Sequence, residues 1–150
     1  MIKITADFTD SFLEDMINKD VDKIINDTAK SMFSAGKAIT DKAVAKTKDG
    51  AFTGGGFGNI SYDLRSSMGC GLVKSNKVTQ SYFPFGKTTT GKKHGKELLA
   101  TVAAEITDDI ALVFVAGENY AVFVEDKGYD VITMSFATFD PEFLNQINNA

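Results

Sequence analysis

Gly86-Lys87-Thr88-Thr89-Thr90-Gly91-Lys92-Lys93 sets two glycines and a lysine at the Gly-x4-Gly-Lys spacing of a phosphate-binding loop. In such a loop, backbone N–H groups and the lysine cradle phosphates. The frame then fails. Lys93 stands where a Ser or Thr hydroxyl has to meet magnesium, and His94-Gly95 follows in place of a committed helix. No apolar strand ending in Asp lies in a βαβ context to complete the site. The composition favours a mobile polar loop, with a nucleotide-binding protein using the 86–93 loop as an alternative.

The other reactive side chains are sparse. His94 is the single histidine and Cys70 the single cysteine, so a zinc site would have to be finished with carboxylates alone. A Cys70–His94 nucleophile pair is conceivable. Cys70, however, sits between two glycines in an expected strand, where a small buried thiol is commoner than an activated one. Glu118, Glu125 and Asp126 could form an acid pair, but acids flanking a strand end are usually solvated. The glycines at 54–58 lack the strand before and the helix after that a dinucleotide fingerprint requires. We therefore expect no enzymatic activity, no catalytic or metal-ligating residue and no cofactor.

Composition sets the frame for these residues. A chain of 150 residues, 43% apolar and 24% charged, can bury a core as one domain and is not a disordered polymer. Twelve Phe and no Trp suggest a Phe-rich core or Phe held for a partner. One cysteine excludes an internal disulfide. The first residues lack the apolar run of a signal peptide, and nowhere do about 18 apolar residues run together as a membrane span needs. The expectation is a soluble, unexported protein with no membrane partner.

Charge is segregated. Between Gly71 and Lys96 there are six lysines and no acid, so the rest of a chain of net charge −4 carries −10. The lysine-rich segment could touch phosphates or an acidic protein, whereas the whole chain is poorly suited to gripping a duplex.

Periodicity predicts the elements that must position these residues. From about Thr9 to Lys48, apolar residues recur at steps of three and four, which is helical. Ser11 with Glu14 can form a capping box, and Asp49-Gly50 stops the helix. A helix of about 38 residues would span roughly 57 Å. That length predicts a break near Asn18–Asp20 or Gly36, or a helix that projects to meet a neighbour. A glycine-rich loop (51–59), helical turns over Ile60–Ser67 and strands at Gly69–Lys74 and Val78–Phe83 around Ser75-Asn76-Lys77 follow. Pro84–Gly95 reads as a flexible insertion, and Glu97–Ile106 as a short helix or further strand. Ile110–Ala116 is the clearest strand and is expected at the centre of the sheet. Val131–Phe136 is extended or starts a helix, and Pro141–Ile147 forms a terminal helix presenting Phe143, Leu144 and Ile147.

Two stretches then carry a resemblance. Gly58-Asn59-Ile60-Ser61-Tyr62-Asp63-Leu64-Arg65-Ser66-Ser67-Met68 resembles the Thr-Gly-Asn-Leu-x-x-Ser-Ile segment that follows the long N-terminal helix in tail-completion, or head–tail connector, proteins of long-tailed phages. Val115-Ala116-Gly117-Glu118-Asn119-Tyr120-Ala121-Val122-Phe123-Val124-Glu125, then Gly128, resembles that family's Tyr-Ala-x-x-Val-Glu-x-Gly signature. The order of elements from about Thr9 to Ile132 matches as well. The chain departs from the pattern in its lysine-threonine insertion at 84–97 and in Asp126-Lys127 before Gly128, and the resemblance does not place Phe136–Ile147.

The resemblance implies an α+β domain, a long N-terminal helix packed on a small antiparallel β-sheet; with the reading of the residues, the expectation is a single domain over residues 1–150 with a short C-terminal helix and a flexible basic insertion at about 84–97. The resemblance also implies a non-catalytic virion structural protein, assembled in the host cytoplasm as a homo-oligomeric ring in the neck or tail. Its partners would be other phage proteins: a connector, the tail tube or a terminator. Asn59, Leu64, Ser67, Tyr120, Ala121, Glu125 and Gly128 carry the motif. Tyr120 and Ala121 are expected to anchor the sheet against the first helix. Lys87, Lys92, Lys93 and Lys96 are expected to contact an acidic neighbour or, non-specifically, DNA in the lumen. A bacterial interaction or adaptor domain is the alternative binding role.

Overall fold

A computed structural model describes residues 10–46, 48–49, 58–59 and 61–149. Helix α1 runs unbroken from Asp10 to Ala45, 36 residues or about 54 Å. Neither Asn18–Asp20 nor Gly36 interrupts it. Gly36 instead lets the helix approach the sheet: a Cβ there would come within 2.9 Å of the Leu112 side chain. From Ser11 to Thr28 every residue is exposed. The alternative of a projecting helix is the one realised.

Strands β1 (Lys48–Asp49) and β2 (Gly58–Asn59) pair in parallel, so the expected loop ends in a short strand, while its residues 51–57 lie outside the described residues. Helix α2 (Asp63–Ser67) leads into β3 (Met68–Lys74), which turns back as β4 (Lys77–Tyr82). Ser75 and Asn76 both have positive φ, 48° and 62°, the geometry of a two-residue hairpin turn matched to strand twist.

Strand β5 (Ile110–Ala116) pairs antiparallel with β3 alone, giving the order β4-β3-β5. The expectation that this apolar strand is central is therefore corrected: β3 takes the centre. Its Met68–Val73 are all buried, whereas most of β5 is only half-buried. An edge strand reads as apolar here because helices cover both of its faces.

Alternation along β3 sorts the layers. Cys70 faces α1, where its sulfur is a neighbour of Gly36. Gly71 faces α3 (Thr89–Glu105), whose Leu99 occupies the space a Cβ would take. Thus α1, with α5 (Thr133–Phe136) and α6 (Phe139–Asn148) packed against it, covers one face, and α3 covers the other. One core cluster joins Ala43 and Val44 of α1 to Leu64, Met68, Ala121 and Val131. A second joins Phe83, Leu99 and Val115. This is an α+β fold: a long helix on a three-stranded antiparallel sheet, with a short C-terminal helix.

Residues 84–97 are where structure and sequence reading part. Thr89 onward is helix, not flexible insertion, and it settles Glu97–Ile106 as the same helix. Gly91, Gly95, Leu99 and Ala103 form its buried stripe. Those residues recur every fourth position, a helical signal hidden by the absence of side chains at two of them. A Cβ on Gly91 would lie 2.2 Å from the Asp63 carbonyl oxygen, and one on Gly95 2.4 Å from that of Ser67.

Gly95→Ala tests this packing. In a mobile loop or an unpacked helix the change would be neutral or stabilising by up to about 1 kcal/mol. Against a backbone carbonyl that cannot move aside, it should destabilise by about 2 kcal/mol, lowering the thermal midpoint by several degrees in a circular-dichroism melt.

Candidate functional site

The four lysines singled out from the sequence gather around the start of α3. Lys87 precedes the helix with its ammonium over the Tyr62 ring, 3.6 Å from the centroid. Lys92, Lys93 and Lys96 lie on the first two turns, around a shallow depression of about 410 Å³ lined also by Thr89, Glu97 and Ala100. Lys93 and Glu97 form an exposed pair at 3.7 Å, of the kind that water screens strongly. The surface is basic on balance.

The phosphate-loop frame is not realised. Lys92 donates its backbone N–H to the Thr88 carbonyl, and Gly91 is pressed against Asp63. The Thr88 N–H is also taken, by the Ser66 hydroxyl at 3.2 Å. The segment is committed to packing.

Cys70 and His94 are not brought together: the thiol lies under α1 and the imidazole belongs to α3, on the opposite face of the sheet. Burial is the main cause that pushes the Cys70 thiol up to about 11, opposed by a hydrogen bond with Thr40. His94 Nδ1 instead meets Glu118 Oε1 at 2.9 Å beside a depression of about 320 Å³. The Glu118 side chain is largely buried and orients the ring. Among the described residues, no three His, Cys, Asp or Glu side chains gather as a metal site.

The motif residues split by role. Leu64 and Ala121 are buried in the cluster under α1, and the Ser67 hydroxyl donates to the Leu64 carbonyl at 2.8 Å. Tyr120 does not anchor the sheet. It sits just before α4 (Ala121–Asp126) and is 41% exposed, because the helix that begins there turns Ala121 inward in its place. Asn59 lies in β2.

Glu125 closes the loop to α5, accepting from the Ile132 and Thr133 N–H groups at 2.8 and 2.9 Å and from the Thr133 hydroxyl. Gly128 (φ 83°) provides the left-handed turn between them. Asp130 completes the arrangement. It accepts from Lys46 at the end of α1, from the Ser135 hydroxyl and from the Met134 N–H. Glu118, Glu125 and Asp126 therefore form no acid pair; two of them have separate structural partners.

No protein-family model, curated protein or solved structure matches the chain. Among the described residues, no helix is long and apolar enough to cross a membrane.

The carboxylates give a prediction. Burial opposes ionisation of Glu125 and of Asp130, but hydrogen bonds outweigh it and hold both below their ordinary values of 4.5 and 3.8. Glu142, bonded to Lys42, is lowered as well. A depressed carboxyl stabilises the fold fully above its unfolded value, and that contribution is lost as pH falls through the folded value. Stability should be flat near neutrality and decline from about pH 4.5 downward. Glu125→Gln should cost about 1–2 kcal/mol at pH 7 and flatten the acid decline, read from urea midpoints across pH.

Cys70 supplies a second. Its thiol should react with a disulfide reagent at neutral pH only after unfolding. Rapid labelling of the native chain would contradict the burial and the raised pKa.

Proposed function

We propose that this chain is a non-catalytic structural subunit of a phage particle, assembling as a ring at the head–tail junction or tail end. The observation that carries the reading is the meeting of the two resembling stretches. Leu64 and Met68 from the first and Ala121 from the second lie some fifty residues apart, yet share one core cluster with Ala43 and Val44 of the long helix. Glu125 and Gly128, the rest of the second stretch, tie the following loop to that cluster. Shared packing of this kind is what a fold-defining signature requires.

The surface supports an assembly role over a chemical one. The single thiol is buried and separated from the histidine, and the phosphate-loop lysine lies within a packed helix. What the chain presents is a projecting helix with large apolar side chains and, elsewhere, a compact basic surface. A protein that keeps such surfaces exposed is built to be covered.

The partners proposed are further copies of the chain and neighbouring connector, tail-tube or terminator proteins; DNA in the lumen is a non-specific contact for the lysines. The site of action is the virion, after assembly in the host cytoplasm. Deleting the gene from a phage that carries it should leave DNA-filled heads and tails that fail to join, or tails of faulty termination, in electron micrographs. Complete infectious particles made without the protein would overturn the reading.

A further inference from the structure

We infer that the exposed first half of α1 is an arm that docks head-to-tail on the lysine-bearing surface of α3 in a second copy of the chain. The inference deepens the assembly role proposed above by naming the two contacting surfaces.

The arm carries an apolar stripe that stays exposed among the described residues. Leu13, Ile17, Val21 and Ile24 follow one another at steps of four, four and three. The same progression continues through Thr28 into Ser31, Ala35, Ile39 and Ala43, which are buried on the face that packs against the domain. The stripe therefore outruns the domain. Its four side chains are 44%, 61%, 45% and 66% exposed, with Met16 and Ile25 similar at 49% and 41%. Six such side chains at steps of three and four are the anchor pattern of a helix that lays its apolar face on a partner.

The flanks of the stripe select the partner. Between Ser11 and Asp27 there are five acids and two lysines, so packing arm against arm would set acid near acid. The chain's own complement is the basic depression at the start of α3. There the stems of Lys92, Lys93 and Lys96 offer apolar surface while their ammonium groups can reach acids at the rim.

An arm cannot reach this surface on its own copy. Asn26 accepts from Lys74 at the β3–β4 turn, so the arm leaves the domain at that end of the sheet. Helix α3 runs the other way. Its Ala104 carbonyl accepts from Asn76 at that same turn, while Gly91 and Gly95 lie against Asp63 and Ser67 at the opposite end. The two surfaces thus sit at opposite ends of the sheet and on opposite faces. Complementary surfaces so placed make a heterologous contact, which repeats into a ring or an open chain.

The test mixes two variants of the full-length chain. One carries Ile17→Asp, Val21→Asp and Ile24→Asp; the other carries Lys92→Glu, Lys93→Glu and Lys96→Glu. All six positions are outside the two core clusters, so thermal midpoints check that both variants fold. By light scattering and native mass spectrometry, the wild type should form oligomers that weaken as salt rises. Each variant alone should associate at least about tenfold more weakly than wild type, and an equal mixture should give a one-to-one heterodimer through the single intact contact. A lysine variant that assembles as well as wild type would overturn the proposal in favour of arm-to-arm packing. A wild type that stays monomeric at high micromolar concentration would overturn it outright. Neither result bears on particle morphology after gene deletion, so failure of this contact and failure of the phage role are separable.

Discussion

Backbone contact without intervening side chains organises this domain. Gly91 and Gly95 of α3 rest on the carbonyls of Asp63 and Ser67, and Gly117 lies against the backbone at His94 and Gly95. Each site leaves no room for a Cβ. This approach lowers α3 onto the sheet far enough for Leu99 to fill the space over Gly71, and for Phe83 to cover Gly69. The small residues of β3 and the glycines of α3 are therefore two halves of one packing solution. Strand β3 becomes central because it alone is thin enough for helices to close on both of its faces.

The other face is built by α1, and its C-terminal end is secured at several points. Ala43 and Val44 join the core cluster, Lys42 bonds Glu142 at 2.7 Å, and Lys46 reaches Asp130. Tyr82 donates to Asp41 at 3.0 Å from the edge strand. A helix gripped this firmly over its second half can extend its first half for about 27 Å without support from a core. Rigidity at one end is what the proposed docking of the other end requires.

The C-terminal segment is held by stacked aromatic rings and surface ion pairs. Helix α6 has no buried residue, and Phe136, Phe139 and Phe143 stack on one another at centroid distances of 6.3 and 5.4 Å. Phe114 meets this ladder edge-on at 5.4 Å, linking it to the sheet. Val122, Phe123 and Met134 stay 65–69% exposed on the neighbouring helices. The described Phe are put to different uses: Phe83 completes the core, while Phe136, Phe139 and Phe143 form an external ladder.

The sequence by itself determined the elements whose signal is local. The three-four spacing of α1, the turn at Ser75-Asn76 and the strand over Ile110–Ala116 are properties of short stretches, and each is present. Layer order and packing partners are not local properties. Ile110–Ala116 was legible as a strand, but its edge position depends on the size of residues forty positions away. Lys87–Lys96 read as a mobile loop because its lysines, threonines and glycines bury little surface alone. Only the carbonyls of Asp63 and Ser67 reveal that Gly91 and Gly95 are contact surfaces. The lysines of the candidate site were visible as residues, but the gathering of Lys92, Lys93 and Lys96 on the first turns of α3, remote from the arm, was not. Burial and separation are settled when distant segments meet, and a glycine carries no side chain by which a sequence could announce that meeting.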